Sequence, residues 1–418
     1  MMGEIYLIKQ LFLEALGASL RGARVSWNME MPTQKWAELF QLAQAHHVLP
    51  MVFEATYACE SARHADPRLM MMAKRQTMQS VMMQAMKTGE FLALMKHLQS
   101  QGLTPCVVKG IACRSLYPNP DHRMSGDEDV LIPPQQAEKC HEAMLAFGMQ
   151  MSEPEQDREA AYEIPYGKPG SPIYIELHKS LFPPESDAYG DFNRFFEGVH
   201  ARTATLELDG ATLITLNPTD HFFYLICHSF KHFLHSGFGL RQVCDIVLYA
   251  NRWGGEIDWA IVEKNCEAIH ALQFTLALLK IGKVHFGFDP ASACLPEGWK
   301  LDAVDEKPML EDLLSSGVYG DATMSRKHSS TMTLSAVTAD KQGKKAKRNV
   351  LRTLFPKLSV MKGRYPYLKK RPYLLPVAWA SRIFSYARRK GKHSDDAAES
   401  LRIASERIEL MRKYGIIR

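Results

Sequence analysis

The sequence predicts an α+β protein in which a small sheet with helices is flanked by helical regions on both sides. Apolar residues follow helical spacing in the first hundred residues and again after residue 217. Two stretches between these regions, 106–109 and 172–179, show the apolar run or the alternation that is typical of strands. Hydrophobic residues make up 46% of the 418 residues, so the chain can bury the cores of two or three domains.

Residues 1–100 are predicted to form an N-terminal helical region. A helix over 32–45 is indicated by apolar residues at helical spacing: Trp36, Leu39, Phe40 and Ala43. Asp66, followed by a proline, is a start signal for a long second helix. That segment is rich in methionine: Met70, Met71, Met72, Met78, Met82, Met83, Met86 and Met95. A methionine-rich face can bind varied partners, but we expect these side chains to pack in the core.

Residues 101–215 are predicted to form the central αβ unit. A strand over 106–109 is followed at once by Gly110 and by a helix-like stretch over 111–116. Backbone N–H groups at such a junction can bind a phosphate. A further helix is expected over 134–147, and a loop or hairpin over 153–172.

The acidic residues of this unit are the strongest candidates for chemistry. Side chains two apart in a strand point to one face, so Asp127 and Asp129 would lie side by side. Two such carboxylates repel each other unless a cation intervenes, and a divalent metal ion is the obvious cation. The alternative is an ordinary acidic pair in a solvated loop. Glu176 alternates with Ile175 and Leu177 and would add a third carboxylate from a neighbouring strand.

Residues 216–315 are predicted to form a helical domain, which begins at an N-cap signal over 217–220. His228 and His232 lie four residues apart, as zinc ligands on a helix can, but the glutamate of a metalloprotease is missing between them, so packing or substrate contact is preferred. Arg241 and Asp245 have the spacing of a helix-stabilising ion pair. They can also hold this domain against the sheet.

Residues 316–348 are predicted to be a flexible linker, and 349–418 a basic helical region. Residues 341–418 contain 22 Lys and Arg against 5 Asp and Glu, whereas the rest of the chain contains 29 against 41. The net charges are therefore +17 and −12. Aromatic residues lie among the basic ones, so 341–418 can bind nucleic acid or an anionic membrane, or dock on the acidic part of its own chain.

The sequence also favours a cytoplasmic protein. It has no apolar run of transmembrane length, and its first residues lack the features of a signal peptide. The eight cysteines are scattered, mostly in apolar surroundings and without a Cys-x-x-Cys pattern, which is typical of reduced core residues.

Several of these segments together resemble the nucleotidyltransferase superfamily of DNA polymerase β, and most closely a bacterial family of uncharacterised nucleotidyltransferases. The resemblance is carried by Val107-Val108-Lys109-Gly110, Tyr117-Pro118, Arg123, the Asp127/Asp129 pair and Glu176-Leu177-His178. It continues through His228, His232, Arg241 and Asp245, and through Phe355-Pro356, Tyr365-Pro366 and Leu374-Leu375-Pro376.

The resemblance implies a polymerase β-like core and transfer of a nucleoside monophosphate from a nucleoside triphosphate, such as ATP, to a hydroxyl group. Asp127, Asp129 and Glu176 would bind Mg²⁺ or Mn²⁺, for which oxygen ligands are suited. Glu176 would also accept the proton of the attacking hydroxyl. The resemblance further assigns nucleotide contacts to Lys109, Gly110 and Arg123, although Arg123 can instead pair with Asp127 or Asp121.

The acceptor stays open, since a peptide or protein, a small molecule and RNA all fit. A toxin-like enzyme acting on tRNA is one alternative, because residues 123–127 also resemble the Arg-x-Ser-x-Asp of such toxins. Another is a non-catalytic module that binds nucleotide or nucleic acid. Glu128, which replaces the usual apolar residue between the aspartates, favours that alternative if it distorts the strand, because a buried unpaired carboxylate costs several kcal/mol.

Overall fold

The computed structural model describes residues 2–316, 324–343, 358, 361, 365, 367–388 and 394–418. The chain divides into two compact units. The first contains Met1–His232 and Gly237–Asp321, and the second contains Phe233–Ser236 and Ala322–Arg418. The first unit thus joins most of the three regions that were predicted separately as 1–100, 101–215 and 216–315.

Five helices precede the sheet. They are α1 (Met2–Leu20), α2 (Thr33–Ala45), α3 (Leu49–Thr56), α4 (Glu60–Arg63) and α5 (Pro67–Ser100). The predicted helix over 32–45 is confirmed as α2, and its four predicted apolar residues are buried. The predicted start of the long helix is also confirmed, because the side chain of Asp66 caps α5 by accepting a hydrogen bond from the Arg68 N–H.

The prediction that the methionines of α5 pack in the core is wrong for most of them. Met95 is buried and Met70 is partly buried, but the other six are between 49% and 71% exposed: Met71, Met72, Met78, Met82, Met83 and Met86. The buried side of α5 is formed by other residues, among them Ala73, Thr77, Gln84 and Thr88. The six methionines therefore form an exposed methionine face on the outer side of a helix whose inner side is largely polar in its middle turns.

The sheet has seven strands in the order β3-β4-β5-β2-β1-β7-β6. Their bounds are β1 Cys106–Val108, β2 Glu128–Leu131, β3 Gln150–Met151, β4 Glu163–Gly167, β5 Tyr174–His178, β6 Thr203–Leu208 and β7 Ala211–Leu216. β2 runs parallel to β5 and β1 parallel to β7, while the other neighbours are antiparallel. The mixed α+β class is confirmed, and so are the predicted strands at β1 and β5.

Helices connect and cover the strands. α6 (Gly110–Arg114) follows β1, α7 (Ala137–Ala146) follows β2, and α8 (Pro218–His235) follows β7. β1, β2, β5, α5 and α7 all contribute to one hydrophobic core, through residues such as Val107, Val130, Ile175, Leu94 and Met144. The remaining helices of the first unit are α9 (Leu240–Trp253), α10 (Trp259–Ala268), α11 (Leu272–Ile281) and α12 (Lys307–Ser316).

In the second unit the described helices are α13 (Met324–Lys341), α14 (Tyr367–Lys370), α15 (Leu375–Arg388) and α16 (Ser394–Lys413). α13 lies within the predicted linker 316–348, so the prediction of a continuous flexible segment is wrong for that part. Its signal was overlooked because α13 is rich in serine and threonine and has few apolar residues. Residues 317–323 and 344–348 of the predicted linker lie outside the described residues, as do parts of the predicted binding region 341–418.

Two chemical expectations can be compared with the structure. Seven of the eight cysteines are buried and all eight are free, but Cys294 is exposed. In the described part of the chain, none of the helices combines the length and the apolar character that crossing a bilayer requires.

Candidate functional site

Two neighbouring strands bring the candidate metal ligands together. Asp129 in β2 lies opposite Glu176 in β5, and register partners of adjacent strands share a face of the sheet. His178, two residues after Glu176, lies on the same face. Its Nε2 atom is 3.0 Å from Asp129 Oδ1 and 3.7 Å from Glu176 Oε2. One ligand atom from each of the three residues lies within 4.8 Å of the others, as ligands of one metal ion would.

Asp129 is only 3% exposed, and two cationic or polar groups hold it. Lys109 Nζ lies 2.6 Å from Asp129 Oδ2 in an ion pair, and His178 contacts the other oxygen. Burial alone would raise the pKa of Asp129, but Lys109 and His178 lower it well below its usual range. Burial works against the charge of Lys109, but Asp127 and Asp129 raise the pKa of its ammonium group overall. Both groups therefore stay charged at neutral pH.

Glu176 behaves differently from Asp129. Burial, followed by the charges of Asp129 and Asp127, raises the pKa of Glu176 from 4.5 to about 7. A carboxyl group with that pKa can both accept and release a proton near neutral pH. The two neighbouring carboxylates thus have different chemical capacities, one being a fixed charge and the other a proton acceptor.

Asp127 lies directly before β2 and is partly exposed. It is not among the three residues whose ligand atoms cluster, but its charge affects the pKa values of Lys109, Glu176 and Lys87. Asp127 therefore lies near the cluster, and its role as a metal ligand stays a prediction.

Two histidines of helix α8 also contact Lys109. The backbone N–H of Lys109 donates to His221 Nε2 at 3.1 Å, and Lys109 Nζ lies 3.1 Å from His228 Nε2. Burial lowers the pKa of His221 to about 3, and burial followed by Lys109 lowers that of His228 well below 6.5. Both rings are therefore neutral and can accept hydrogen bonds. Lys109 also has a φ of 57°, in the region that residues other than glycine rarely adopt, so its backbone is strained.

The His228 and His232 rings contact each other, with 3.2 Å between their Nε2 atoms. His228 also contacts Lys109, so of the predicted alternatives the structure favours packing close to the site over a zinc pair. Among the described residues, the group of three possible ligands that could hold a metal ion consists of Asp129, Glu176 and His178.

Glu128 points to the opposite face of β2 and is 2% exposed. Its Oε1 accepts a hydrogen bond from Ser125 Oγ at 2.5 Å, and its Oε2 accepts one from the Ile111 N–H at 2.9 Å. β2 keeps its pairing with β5 from Glu128 onwards, so the strand is not distorted. A Cβ atom at Gly110 would lie 2.0 Å from Glu128 Oε2, so any larger residue at position 110 would displace this hydrogen-bonded carboxylate.

The backbone N–H groups that were predicted to bind a phosphate already have partners within the chain. The Ile111 N–H is bound to Glu128 and the Lys109 N–H to His221, so both backbone donors are used inside the chain. The requirement for Gly110 is explained by the carboxylate of Glu128. Nucleotide contacts at Lys109 and Gly110 stay predictions.

Arg123 is buried and forms two hydrogen bonds with Asp245, at 2.9 and 2.7 Å, and Tyr117 donates to the same carboxylate at 2.7 Å. The expected pairing of Arg123 with Asp127 or Asp121 is therefore wrong. So is the expected Arg241–Asp245 ion pair, because Arg241 instead donates to the Met124 carbonyl. The geometry favours a structural role for Arg123 over the predicted nucleotide contact.

The loop before β2 is held by α5. Lys87 Nζ donates to the carbonyls of Ser125 and Gly126 at 3.1 and 2.6 Å, and Gln84 Oε1 accepts from the Ser125 N–H at 2.9 Å. Sequence reasoning missed Lys87, Gln84 and His221. Polar residues on the buried side of a long helix were the available signal, but a local pattern does not say which loop they bind.

Comparison with known proteins adds the family. Residues 32–287, which run from α2 to the end of the turn after α11, match the sequence model of a family described as uncharacterised nucleotidyltransferase. No curated protein and no solved structure matches the chain significantly. The matched residues include the complete sheet and every residue of the cluster described above. The chain therefore belongs to the uncharacterised nucleotidyltransferase family.

Proposed function

We propose that the protein is a Mg²⁺- or Mn²⁺-dependent nucleotidyltransferase that transfers a nucleoside monophosphate from a nucleoside triphosphate to a hydroxyl group of an acceptor. The observation that carries this proposal is the cluster of Asp129, Glu176 and His178 on adjacent strands, with Asp127 two residues before Asp129. Family membership supports a nucleotide substrate. We infer on the same pattern a polymerase β-like core.

The donor atoms fit a divalent cation. Ligand atoms of Asp129, Glu176 and His178 lie within 4.8 Å of one another, close enough to share one ion, and Asp129 Oδ2 faces the ammonium group of Lys109 at 2.6 Å. Asp127, Asp129 and Glu176 would supply carboxylate oxygens, which Mg²⁺ and Mn²⁺ prefer. His178 would orient Asp129 through the 3.0 Å contact or join the ligand set. A bound cation would neutralise phosphate charge and favour ionisation of the attacking hydroxyl.

The remaining roles follow from the charges of the site. Glu176 lies opposite Asp129 on the neighbouring strand and, as a carboxylate beside the metal, would accept the proton of the acceptor hydroxyl. Lys109 stays protonated and balances Asp129, while neutral His228 holds the ammonium group in place. The regular pairing of β2 with β5 from Glu128 onwards supports this proposal over the non-catalytic alternative, which relied on a distorted strand.

Label transfer tests the proposal. Each of the four α-³²P nucleoside triphosphates is incubated with the protein, a cell extract and Mg²⁺ or Mn²⁺, with γ-labelled ATP as a control for kinase activity. A labelled product that the wild type forms and Asp129→Asn does not would support nucleotidyl transfer, and its sensitivity to nuclease or protease would identify the acceptor class. Transfer from γ-labelled ATP alone would contradict the proposal.

A further inference from the structure

The described site lacks an obvious contact for the polyphosphate tail of a nucleotide. Lys109 is held by Asp129 and His228, and Arg123 by Asp245. The backbone N–H groups of Lys109 and Ile111 are also bound within the chain. A nucleoside triphosphate with one bound divalent ion still carries negative charge, so the site needs a further cation.

Lys231 lies on the face of α8 that is turned towards the site. Four polar residues follow the spacing 3, 4, 3 that keeps side chains on one face of a helix: His221, Tyr224, His228 and Lys231. The first and third of them contact Lys109 directly. Tyr224, between them, is close enough to Asp129 and Glu176 for their charges to raise the pKa of its hydroxyl, after the larger effect of burial. Lys231 continues the same face by one turn.

The charges around Lys231 match this placement. Burial lowers the pKa of its ammonium group most, Lys109 lowers it next, and Glu163, Asp129 and Glu176 oppose these effects. Lys231 is partly buried and, within the described part of the chain, forms neither an ion pair nor a hydrogen bond. An unpaired charge in such surroundings is a cost to stability that an anionic ligand would offset.

We propose that Lys231 binds the polyphosphate tail of the nucleoside triphosphate beside the Asp129–Glu176 cluster. This inference rests on the proposed function. It places the tail on the α8 side of the site, where Lys231 has no ion pair or hydrogen bond among the described residues, and not at the junction of β1 and α6. Lys231 is then a binding residue that discriminates nucleotides by the number of their phosphates.

Binding measurements test this assignment without an acceptor. Wild type, Lys231→Met and Lys231→Arg are titrated by calorimetry, in Mn²⁺, with α,β-methylene nucleoside triphosphates and with the matching monophosphates. We expect Lys231→Met to weaken triphosphate binding at least tenfold and to change monophosphate binding less than twofold. Lys231→Arg should restore most of the loss. Lys264→Met is the matched control, because Lys264 is exposed on α10 and its loss should change neither affinity.

A second readout separates ligand binding from a structural role. Removing an unpaired, partly buried charge should raise the Tm of ligand-free Lys231→Met, whereas loss of a structural contact would lower it. The assignment is overturned if Lys231→Met binds the triphosphate as well as wild type does, or loses both nucleotides equally. If wild type binds no nucleotide at all, the proposed function itself fails, and the role of Lys231 fails with it.

Discussion

Glu128 and Asp129 are adjacent in β2, and both are almost completely buried, at 2% and 3% exposure, but they are stabilised in different ways. Glu128 accepts hydrogen bonds from neutral donors, Ser125 and the Ile111 N–H. Asp129, on the other face, lies beside Lys109 and His178. One face of the strand thus fixes the β1–α6 junction, while the other carries the charged groups of the candidate metal site.

Adjacent acidic residues can therefore have different roles, one structural and one chemical. Neutral donors satisfy a carboxylate without bringing further charge, so Glu128 can hold a turn in place. Charged partners tune the pKa values of their neighbours, so the face of Asp129 is suited to proton transfer. Four sets of variants test how these buried polar groups are held.

The largest effect is expected for Asp129→Asn. Removing this charge should lower nucleotidyl transfer by roughly a thousandfold, since metal-assisted charge stabilisation contributes several kcal/mol. Glu128→Gln is the matched variant on the opposite face. It keeps an acceptor for the Ile111 N–H and should retain transfer within several-fold, at a stability cost of about 1 kcal/mol. Equal loss of transfer in both variants would contradict the division, with circular dichroism confirming that each is folded.

Arg123→Met should mainly destabilise the protein. It leaves the Asp245 carboxylate buried and without its bidentate partner, which costs about 3–4 kcal/mol. Urea denaturation measures this loss, and transfer per folded molecule should change only several-fold. A loss of nucleotide affinity at unchanged stability would instead return Arg123 to the nucleotide site.

Gly110→Ala should cost about 2–3 kcal/mol, because its new Cβ atom meets the Glu128 carboxylate at 2.0 Å. In Gly110→Ala/Glu128→Ala the obstacle is gone. The loss of unfolding free energy in the double variant should therefore be smaller than the sum of the two single losses. Additive losses would mean that the alanine is resisted by something other than Glu128.

The smallest effect concerns the neutral histidine that accepts from the Lys109 backbone. The pKa of His221 is lowered from 6.5 to about 3, so below pH 6.5 the unfolded chain binds a proton that the folded chain does not. The stabilisation that this neutral ring provides is complete above pH 6.5 and is lost as the pH falls towards 3. At pH 5 the loss of unfolding free energy is about 2 kcal/mol. His221→Gln should flatten the pH dependence of unfolding by that amount, and an unchanged slope would argue against a neutral, buried His221.

Short-range patterns predicted the parts of the fold that depend on them. Period-two alternation identified β5, in which Glu176 alternates with Ile175 and Leu177 as predicted. Asp66 marked the start of α5, since an N-cap is a local signal. The expectation that Glu176 lies on a strand next to that of the acidic pair is also confirmed, while the register that places it opposite Asp129 was found only in the structure.

Contacts between distant residues could not be predicted in this way. Arg123 binds Asp245, 122 residues later, although Arg241 is the residue at helical spacing from it. Glu128 was recognised as a problem, but its partners Ser125 and Ile111 depend on how the turn after β1 folds back on β2. The prediction that the α5 methionines are buried was wrong because apolar character alone does not show which side of a long helix packs against the rest of the protein.

The exposed methionine face of α5 also has a chemical consequence. An exposed thioether is oxidised readily to the sulfoxide, which is polar and can be reduced back enzymatically. Because Met71, Met78 and Met82 point away from the core, their oxidation would add polarity to the surface without opening a cavity. Lys87 and Gln84, on the buried side of the same helix, would keep their hold on the loop before β2. An oxidant would therefore modify the exposed side of α5 first. The candidate site, which the buried side of α5 supports through the loop before β2, would be affected only later.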